Sequence, residues 1–424
     1  MLSNRRQLGL VVVVCLTSAC SRPSISTDIE AELEHTKAID NHAHPVRVVG
    51  PGEQDRDFDA LPADAIQVPA LPVPARPDNP MYAQAQKELF DGQAKAAVAK
   101  QKGDQYPVWI LNHTNTDIML ANRVSMGRSL PNDRFKWVPF VDMFLFPLNN
   151  SAIKQKDPEH AAFMQSEEQL LARYLDAAGL KTAPLSFDDY LSFVTHTLEK
   201  FKSDGAIALK FELAYLRDLD ISNPKKEDVE RIYMIYAQPA QPSPEESKAL
   251  EDYMFRYIAA EAGRLGLAIH IHTSIGVGSY FRAANANPLA LEPIFNDPTL
   301  RKTKFVMLHG SWPFTREAGT LILKPNVFID FSAYYYLTYP AQAAKDLRFL
   351  LEMAPEKVLY GSDASPFSDN IGWEETALIA SKLHRQELGT AITAMIDDGE
   401  ITTDRGKKLV HMVLRDNARQ LYGL

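Results

Sequence analysis

Cysteine is nearly absent from this sequence of 424 residues: Cys15 and Cys20 are the two it contains, both within the first twenty positions. Beyond residue 20 we therefore expect no internal disulfide and no cysteine nucleophile, so any metal ligands there must be His, Asp or Glu. A basic block is also lacking, because 45 Lys and Arg are outnumbered by 54 Asp and Glu, for a net charge of -9. This balance argues against nucleic-acid binding, which depends on clustered positive charge. No run after residue 20 is long and apolar enough to predict a membrane-spanning helix.

The first twenty residues read as an export signal. Arg5 and Arg6 precede an apolar run from Leu8 to Ala19, an order and length typical of a signal peptide. The arginine pair resembles a twin-arginine signal. The residues before Cys20 resemble a lipoprotein cleavage site, so two alternatives stay open: a free periplasmic protein, or a lipoprotein anchored to the membrane at Cys20. We expect a tether over residues 21–37 and one domain over residues 38–424.

That domain is predicted to be a (β/α)8 barrel. Short apolar strands alternate with long helical stretches, such as Glu167–Ala178, Glu245–Leu265 and Ala341–Met353, over nearly the whole chain. The predicted strands are Ala38–His44, Ile118–Arg123, Phe135–Asp142, Ala206–Leu213, Leu267–Thr273, Lys304–Gly310, Val327–Ser332 and Lys357–Ser362. There are two long insertions, residues 45–80 after strand 1 and residues 143–205 after strand 3. Both follow the carboxyl end of a strand, where they would form the substrate pocket.

Histidines and one carboxylate fall at the ends of four predicted strands. His42 and His44 end the first strand two residues apart, so both side chains can point into the barrel. His272 ends the fifth strand, His309 the sixth and Asp363 the eighth. His270, one layer deeper than His272, is interpreted as a core histidine. Neutral imidazoles and a carboxylate bind a divalent ion while leaving a position for water, so His42, His44, His272 and Asp363 are the predicted metal ligands.

Asp363 is also the predicted acid–base residue, because a carboxylate that touches metal and water can move a proton between water and leaving group. His309 is predicted either to hold a second ion or to steady an oxyanion. In the fourth strand Lys210 and Glu212 share a face. Three alternatives stay open for Lys210: a carbamylated lysine that bridges two metals, an ion pair with Glu212, or a group that grips a substrate carboxylate.

These residues resemble the pattern of the amidohydrolase superfamily, and within it the amidohydrolase-2 group. The resemblance is nearest to the branch whose barrels also occur fused to glutamine-synthetase-like domains, and it runs from about Ala38 to the C-terminus. It implies functional positions on strands one, four, five, six and eight, which are His42, His44, Lys210, His272, His309 and Asp363 here. Arg217 stands one position later than this branch would suggest, which weakens transfer of any particular substrate.

The sequence therefore predicts an exported, metal-dependent hydrolase that cleaves an amide-type C–N or related bond of a small molecule with a metal-activated water. A nonoxidative decarboxylase of a small carboxylic acid is the alternative, because fold alone does not settle the reaction; a noncatalytic binding barrel is the third. One or two divalent ions are expected, with zinc favoured over manganese, iron or cobalt. Arg217, Trp312 and Arg316 are predicted substrate contacts. The sequence does not set the oligomeric state.

Overall fold

The computed structural model describes residues 25–50, 52–61, 70–237, 241–368 and 370–424. The predicted signal peptide and the Cys20 anchor site lie outside the described residues. Among the helices that are described, none combines the length and the apolar character needed to cross a membrane.

Eight parallel strands form the barrel, which confirms the predicted fold class. The strands are β1 (Ala38–Ala43), β2 (Thr116–Asn122), β3 (Phe135–Val138), β4 (Ala208–Phe211), β5 (Ala268–Ile271), β6 (Lys304–Met307), β7 (Val327–Asp330) and β8 (Val358–Leu359). Each strand pairs with the next in chain order, within β1–β3 and within β4–β8. Isolated bridges close the ring: Trp137 to Ala206 and Phe140 to Lys210 join β3 and the residues after it to β4 and the residues before it, and Ala43 to Ala364 joins β1 to the segment after β8.

Sixteen helices among the described residues surround and extend the barrel. They are α1 (Thr27–His35), α2 (Pro80–Phe90), α3 (Lys95–Lys102), α4 (Tyr106–His113), α5 (Ser151–Lys154), α6 (Pro158–Ala177), α7 (Phe187–Ser203), α8 (Lys226–Tyr236), α9 (Pro244–Leu265), α10 (Glu292–Asn296), α11 (Thr315–Leu321), α12 (Tyr334–Leu337), α13 (Pro340–Met353), α14 (Trp373–Asp397), α15 (Thr403–His411) and α16 (Asn417–Tyr422). Helix α9 begins with a capping box, in which Ser243 and Glu246 each satisfy the other's backbone N–H. Helix α1 packs on α14 and α15 and buries Ile29 and Leu33, so residues 27–35 of the predicted tether pack with the barrel.

The amino-terminal end of the barrel is closed by an apolar layer and by α16. Every strand contributes an apolar side chain to this layer: Ile39, Leu120, Val138, Ala208, Ala268, Val306, Phe328 and Leu359. Ala418 of α16 is buried against them, and Leu421 and Tyr422 pack on the same cluster. Because this end is filled among the described residues, the carboxyl ends of the strands, where barrel enzymes have their sites, are the open side of the barrel.

At that opposite end, ion pairs and hydrogen bonds hold the segment after β1 in place. We call residues 52–61 the strap. Arg123, fully buried at the end of β2, places its guanidinium 2.8 and 3.0 Å from the two oxygens of Asp55 in the strap. Asp57 of the strap accepts hydrogen bonds from Arg173 at 2.9 Å and from Ser125 at 2.6 Å. A bidentate, buried pair of this kind is lost only at a high energetic cost, so the strap has a defined position.

Candidate metal centre

The β1 histidines and Asp363 meet at the carboxyl end of the barrel. The Nε2 atoms of His42 and His44 lie 3.3 Å apart, and each faces Oδ1 of Asp363, at 3.2 and 3.5 Å. Two nitrogens and a carboxylate oxygen thus converge with spacings close to the edge of a tetrahedral zinc site, about 3.3 Å for bonds near 2.0 Å. Nδ1 of His42 is buried without a hydrogen-bond partner. This donor set fits a divalent cation.

His309 and His272 extend the cluster along the next strands. The His309 ring lies 5.0 Å from the His42 ring and 4.7 Å from the His272 ring, measured between centroids. His42, His309 and Asp363 can each present a ligand atom within 4.8 Å of the other two. The structure therefore brings all five predicted residues together, and it places His309 in the compact metal-capable group while His272 stands next to it.

Backbone conformation at two of these positions is unusual. His309 and Asp363 have φ values of 62° and 56°, in the left-handed region that residues other than glycine rarely adopt. Each such residue costs on the order of 1–3 kcal/mol, and such positions are concentrated at functional sites. Gly310 follows His309 with φ 57°, and a Cβ there would lie 2.3 Å from the Tyr334 hydroxyl, so this turn requires glycine.

Neighbouring groups contact further polar atoms of the metal-facing residues. Nδ1 of His44 lies 3.0 Å from a carboxylate oxygen of Asp59, which the strap supplies. Nε2 of His272 lies 2.9 Å from the carbonyl of Ser274; a carbonyl only accepts, so Nε2 carries the proton and Nδ1 keeps the lone pair. The Tyr336 hydroxyl, on α12, donates to Oδ2 of Asp363. Carboxylate and carbonyl partners of this kind orient histidine ligands in metal sites.

Three of the histidines are neutral. Burial, reinforced by the positive charge of Lys210, lowers the pKa of His42 well below its usual range. Burial also lowers the pKa of His309 well below its usual range. The pKa of His272 falls to about 3 for the same two reasons as that of His42. Neutral imidazoles have the free lone pair that metal ligation requires.

His44 and Asp363 are instead charged in the metal-free protein. Burial by itself would lower the pKa of His44, but the Asp59 carboxylate, followed by Asp363, raises it to about 10. Burial would raise the pKa of Asp363, yet its electrostatic interaction with His309 and hydrogen bonds from His42 and His44 hold it well below its usual range. A cation entering the site would therefore displace a proton from His44.

Lys210 is buried beside the histidines, but the predicted ion pair with Glu212 is not formed. Among the described residues no carboxylate lies within 4.0 Å of its ammonium group. The backbone leaves the extended conformation at Glu212, with φ -110° and ψ 16°, and its N–H donates to Asp142 at 2.8 Å. Burial raises the pKa of Glu212 well above its usual range. Lys210 lies close enough to the cluster for its charge to lower the pKa of His42.

The three predicted substrate contacts have different environments. Arg217 ion-pairs with Glu251 at 3.0 Å and with Asp252 at 2.6 Å, both on α9. Arg316 stacks over the Phe349 ring at 4.9 Å. These two arginines are not brought to the cluster, because carboxylates and an aromatic face elsewhere already bind them. Trp312 lies three residues after His309, and its carbonyl accepts from Ser274 at 2.8 Å, which ties the loop after β6 to the loop after β5.

Comparisons with known proteins relate part of the chain to a known family. The family model Amidohydro_2, described as amidohydrolase, matches residues 238–424. This region contains β5 to β8, and with them His272, His309 and Asp363. Protein fluG of Emericella nidulans is 26% identical over 232 residues, which is 52% of this chain and 26% of that protein. The chain therefore corresponds to about a quarter of the length of this relative.

Solved structures share the fold. A protein of Lactobacillus casei assigned as a metal-dependent hydrolase has a TM-score of 0.56 at 17% identity, covering 86% of this chain and 98% of that one. Uronate isomerase of Bacillus halodurans has a TM-score of 0.58 at 11% identity, covering 93% and 95%. Uronate isomerase of Thermotoga maritima has a TM-score of 0.57 at 12% identity, covering 82% and 79%.

The fold and the site together define a parallel barrel with a histidine–aspartate centre at its carboxyl end. The family match over residues 238–424 confirms the predicted resemblance to the amidohydrolase-2 group, and the solved structures share the barrel fold. The chain is thus a parallel barrel whose residues 238–424 are similar to the amidohydrolase family.

Proposed function

We propose that this protein is a metal-dependent hydrolase of an amide-type C–N bond in a small molecule. The observation that carries the proposal is the convergence of His42, His44 and Asp363 at 3.2–3.5 Å, with His309 beside them. His42, His44 and Asp363 would hold the ion, with His272 or His309 completing the site; zinc is the ion we favour. When bound, a divalent ion polarises a carbonyl and makes water acidic enough to attack near neutral pH.

The two oxygens of Asp363 are suited to different tasks. Oδ1 faces the histidine nitrogens, while Oδ2 accepts the Tyr336 hydroxyl. We assign Oδ2 as the atom that takes a proton from the attacking water and returns it to the leaving nitrogen as the C–N bond breaks. Tyr336 holds the carboxylate so that Oδ2 stays on the substrate side. His309 is left with two roles, a further ligand or a donor to the tetrahedral oxyanion.

Asp363→Asn tests the mechanism, because the amide keeps the shape of the side chain and removes its basicity. We expect amide hydrolysis, measured by amine release from a panel of small amides, to fall by about 10²–10⁴-fold. Asp297→Asn is the matched control, since Asp297 pairs with Arg256 outside the centre. Full activity in Asp363→Asn would refute the assigned role.

The same panel separates the alternatives. Carbon dioxide released from small carboxylic acids, without amine release from amides, would support the decarboxylase. Metal binding without turnover of either substrate class would support the noncatalytic barrel.

Export is a separate part of the proposal, supported by the sequence of residues 1–20. The mature protein is proposed to lie in the periplasm, either free or anchored through a lipid on Cys20. Cell fractionation combined with mass analysis of the mature amino terminus tests this. Export would be contradicted if the protein were found in the cytoplasm with residues 1–20 still attached. The mass of residue 20 distinguishes a lipidated from an unmodified chain.

A further inference from the structure

One ring nitrogen of His309 contacts a serine hydroxyl and lies 3.8 Å from Oδ2 of Asp363. Nδ1 of His309 lies 2.9 Å from the hydroxyl oxygen of Ser332, which stands two residues after the end of β7, and both residues are buried. A serine hydroxyl can donate one hydrogen bond or accept others. The tautomer of His309 therefore depends on where the Ser332 proton points.

Asp330 determines that direction. The Ser332 hydroxyl lies 2.7 Å from Oδ1 of Asp330. The same oxygen accepts the backbone N–H of His309 at 2.9 Å and that of Ser332 at 3.1 Å. Oδ2 accepts the amide of Asn41 at 2.8 Å. Both carboxylate oxygens are thus filled with donors, so Asp330 is an acceptor throughout and the Ser332 proton points to it.

The orientation of the Asn41 amide is fixed by the closed end of the barrel. Tyr422 of α16 donates its hydroxyl proton to Oδ1 of Asn41, which leaves the Asn41 NH2 for Asp330. The Tyr422 oxygen lies 2.7 Å from Nε2 of His270. Since Tyr422 has used its proton on Asn41, His270 must donate at this contact. The donors of these hydrogen bonds therefore follow one order: His270 donates to Tyr422, Tyr422 donates to Asn41, and Asn41 donates to Asp330.

Because the Ser332 hydroxyl donates to Asp330, its oxygen must accept from His309, and Nδ1 of His309 must carry the proton. We propose that Asp330 and Ser332 are positioning residues that fix His309 as the Nδ1–H tautomer, with the Nε2 lone pair free for a cation. In the Nδ1–H tautomer Nε2 has no proton, so this tautomer favours the ligand role over the role of hydrogen-bond donor to an oxyanion.

The cation in this inference rests on the proposed function, but the tautomer does not. The test uses histidine-selective ¹⁵N NMR of the metal-free protein, which distinguishes protonated from unprotonated ring nitrogens; His309→Gln identifies the His309 signals. We expect the Nδ1–H form in wild type and a shift to a mixture or to Nε2–H in Ser332→Ala. Ser311→Ala is the matched control, because the buried Ser311 hydroxyl contacts Thr273 at 2.8 Å and not a histidine; it should leave the His309 signals unchanged.

Metal affinity provides a second readout, measured by competition with a chromogenic chelator. Ser332→Ala and Asp330→Asn should each weaken binding of Zn²⁺ by about 10–100-fold, the usual effect of removing a group that orients a ligand, while Ser311→Ala should not. An Nε2–H tautomer in wild type, or an unchanged Nδ1–H tautomer in Ser332→Ala, would overturn the inference. If the tautomer behaves as expected but no hydrolysis is found, the proposed function fails and the positioning role stands.

Discussion

Asp59→Asn is the perturbation that tests most sharply how the strap and the centre depend on each other. The substitution removes a negative charge 3.0 Å from Nδ1 of His44 and keeps the size of the side chain. Although burial favours the neutral form of His44, Asp59 and Asp363 together raise its pKa to about 10. The wild-type protein must therefore release a proton from His44 before Nε2 can bind an ion.

The expected size of the effect on metal affinity follows from the pKa of His44. Removing a proton from a group with a pKa of about 10 at pH 7 costs about 4 kcal/mol, at 1.36 kcal/mol per unit. The apparent metal affinity of the wild type should then rise roughly tenfold per pH unit between pH 7 and about pH 10. Asp59→Asn lowers the pKa of His44, so its affinity should level off at a lower pH. Above pH 10, where His44 is neutral in both proteins, the variant should bind about 10–100-fold more weakly because Nδ1 has lost its carboxylate partner.

Chelator competition between pH 7 and 10 measures the slope, and calorimetry in buffers of different ionisation enthalpy counts the protons released. We expect close to one proton per ion from His44 in the wild type at pH 8 and clearly less in Asp59→Asn. Asp57→Asn is the control for a loosened strap, since Asp57 contacts Arg173 and Ser125 and not the histidines. An unchanged slope and proton count in Asp59→Asn would refute the reasoning.

Three further changes address stability. Burial raises the pKa of Glu387 to about 8, so the wild type should lose stability as the pH rises from 4.5 through 8. Measured by urea unfolding, Glu387→Gln should have a free energy of unfolding about 4 kcal/mol above that of the wild type at pH 8 and a similar one at pH 4. Equal free energies of unfolding at pH 8 would count against this reasoning. Gly361→Ala would place a Cβ 2.9 Å from Oδ2 of Asp330 and should cost about 1–3 kcal/mol; an unchanged unfolding midpoint would show that the strand can adjust. Arg123→Met leaves Asp55 buried without its partner and should cost about 3–5 kcal/mol, with part recovered by adding Asp55→Asn; no loss would mean that the strap contributes nothing to folding.

The strands were predictable because parallel barrel strands are buried on both faces and appear as short apolar runs. Their carboxyl ends were predicted too long. Strand β6 ends at Met307 and not at Gly310, and β8 ends at Leu359 and not at Ser362. At these ends the chain leaves the extended conformation to direct His309 and Asp363 inward, with positive φ at both. A pattern of apolar residues contains no signal for that change.

The metal-facing residues were predicted from their positions at strand ends, with two-residue spacing for His42 and His44, and this signal has a limit. Asp330 and Ser332 have the same spacing at the end of β7, so the sequence could have revealed them. Asp59 could not be found this way, because its position depends on the long-range pairing of Asp55 with Arg123 and the strap has no periodic pattern. Tyr336 lies in a four-residue helix, too short for periodicity to identify.

His42, His44 and Asp363, with His309 beside them, are proposed to hold a divalent ion. Elemental analysis of protein purified without chelator tests it most directly, with wild type compared with Asp363→Ala and with Asp297→Ala as control. We expect at least about one ion per chain in the wild type and the control, and a large loss in Asp363→Ala; a value near two would add a second ion beside Lys210 and His309. No bound ion in the wild type, and none taken up when divalent ions are supplied, would contradict the account.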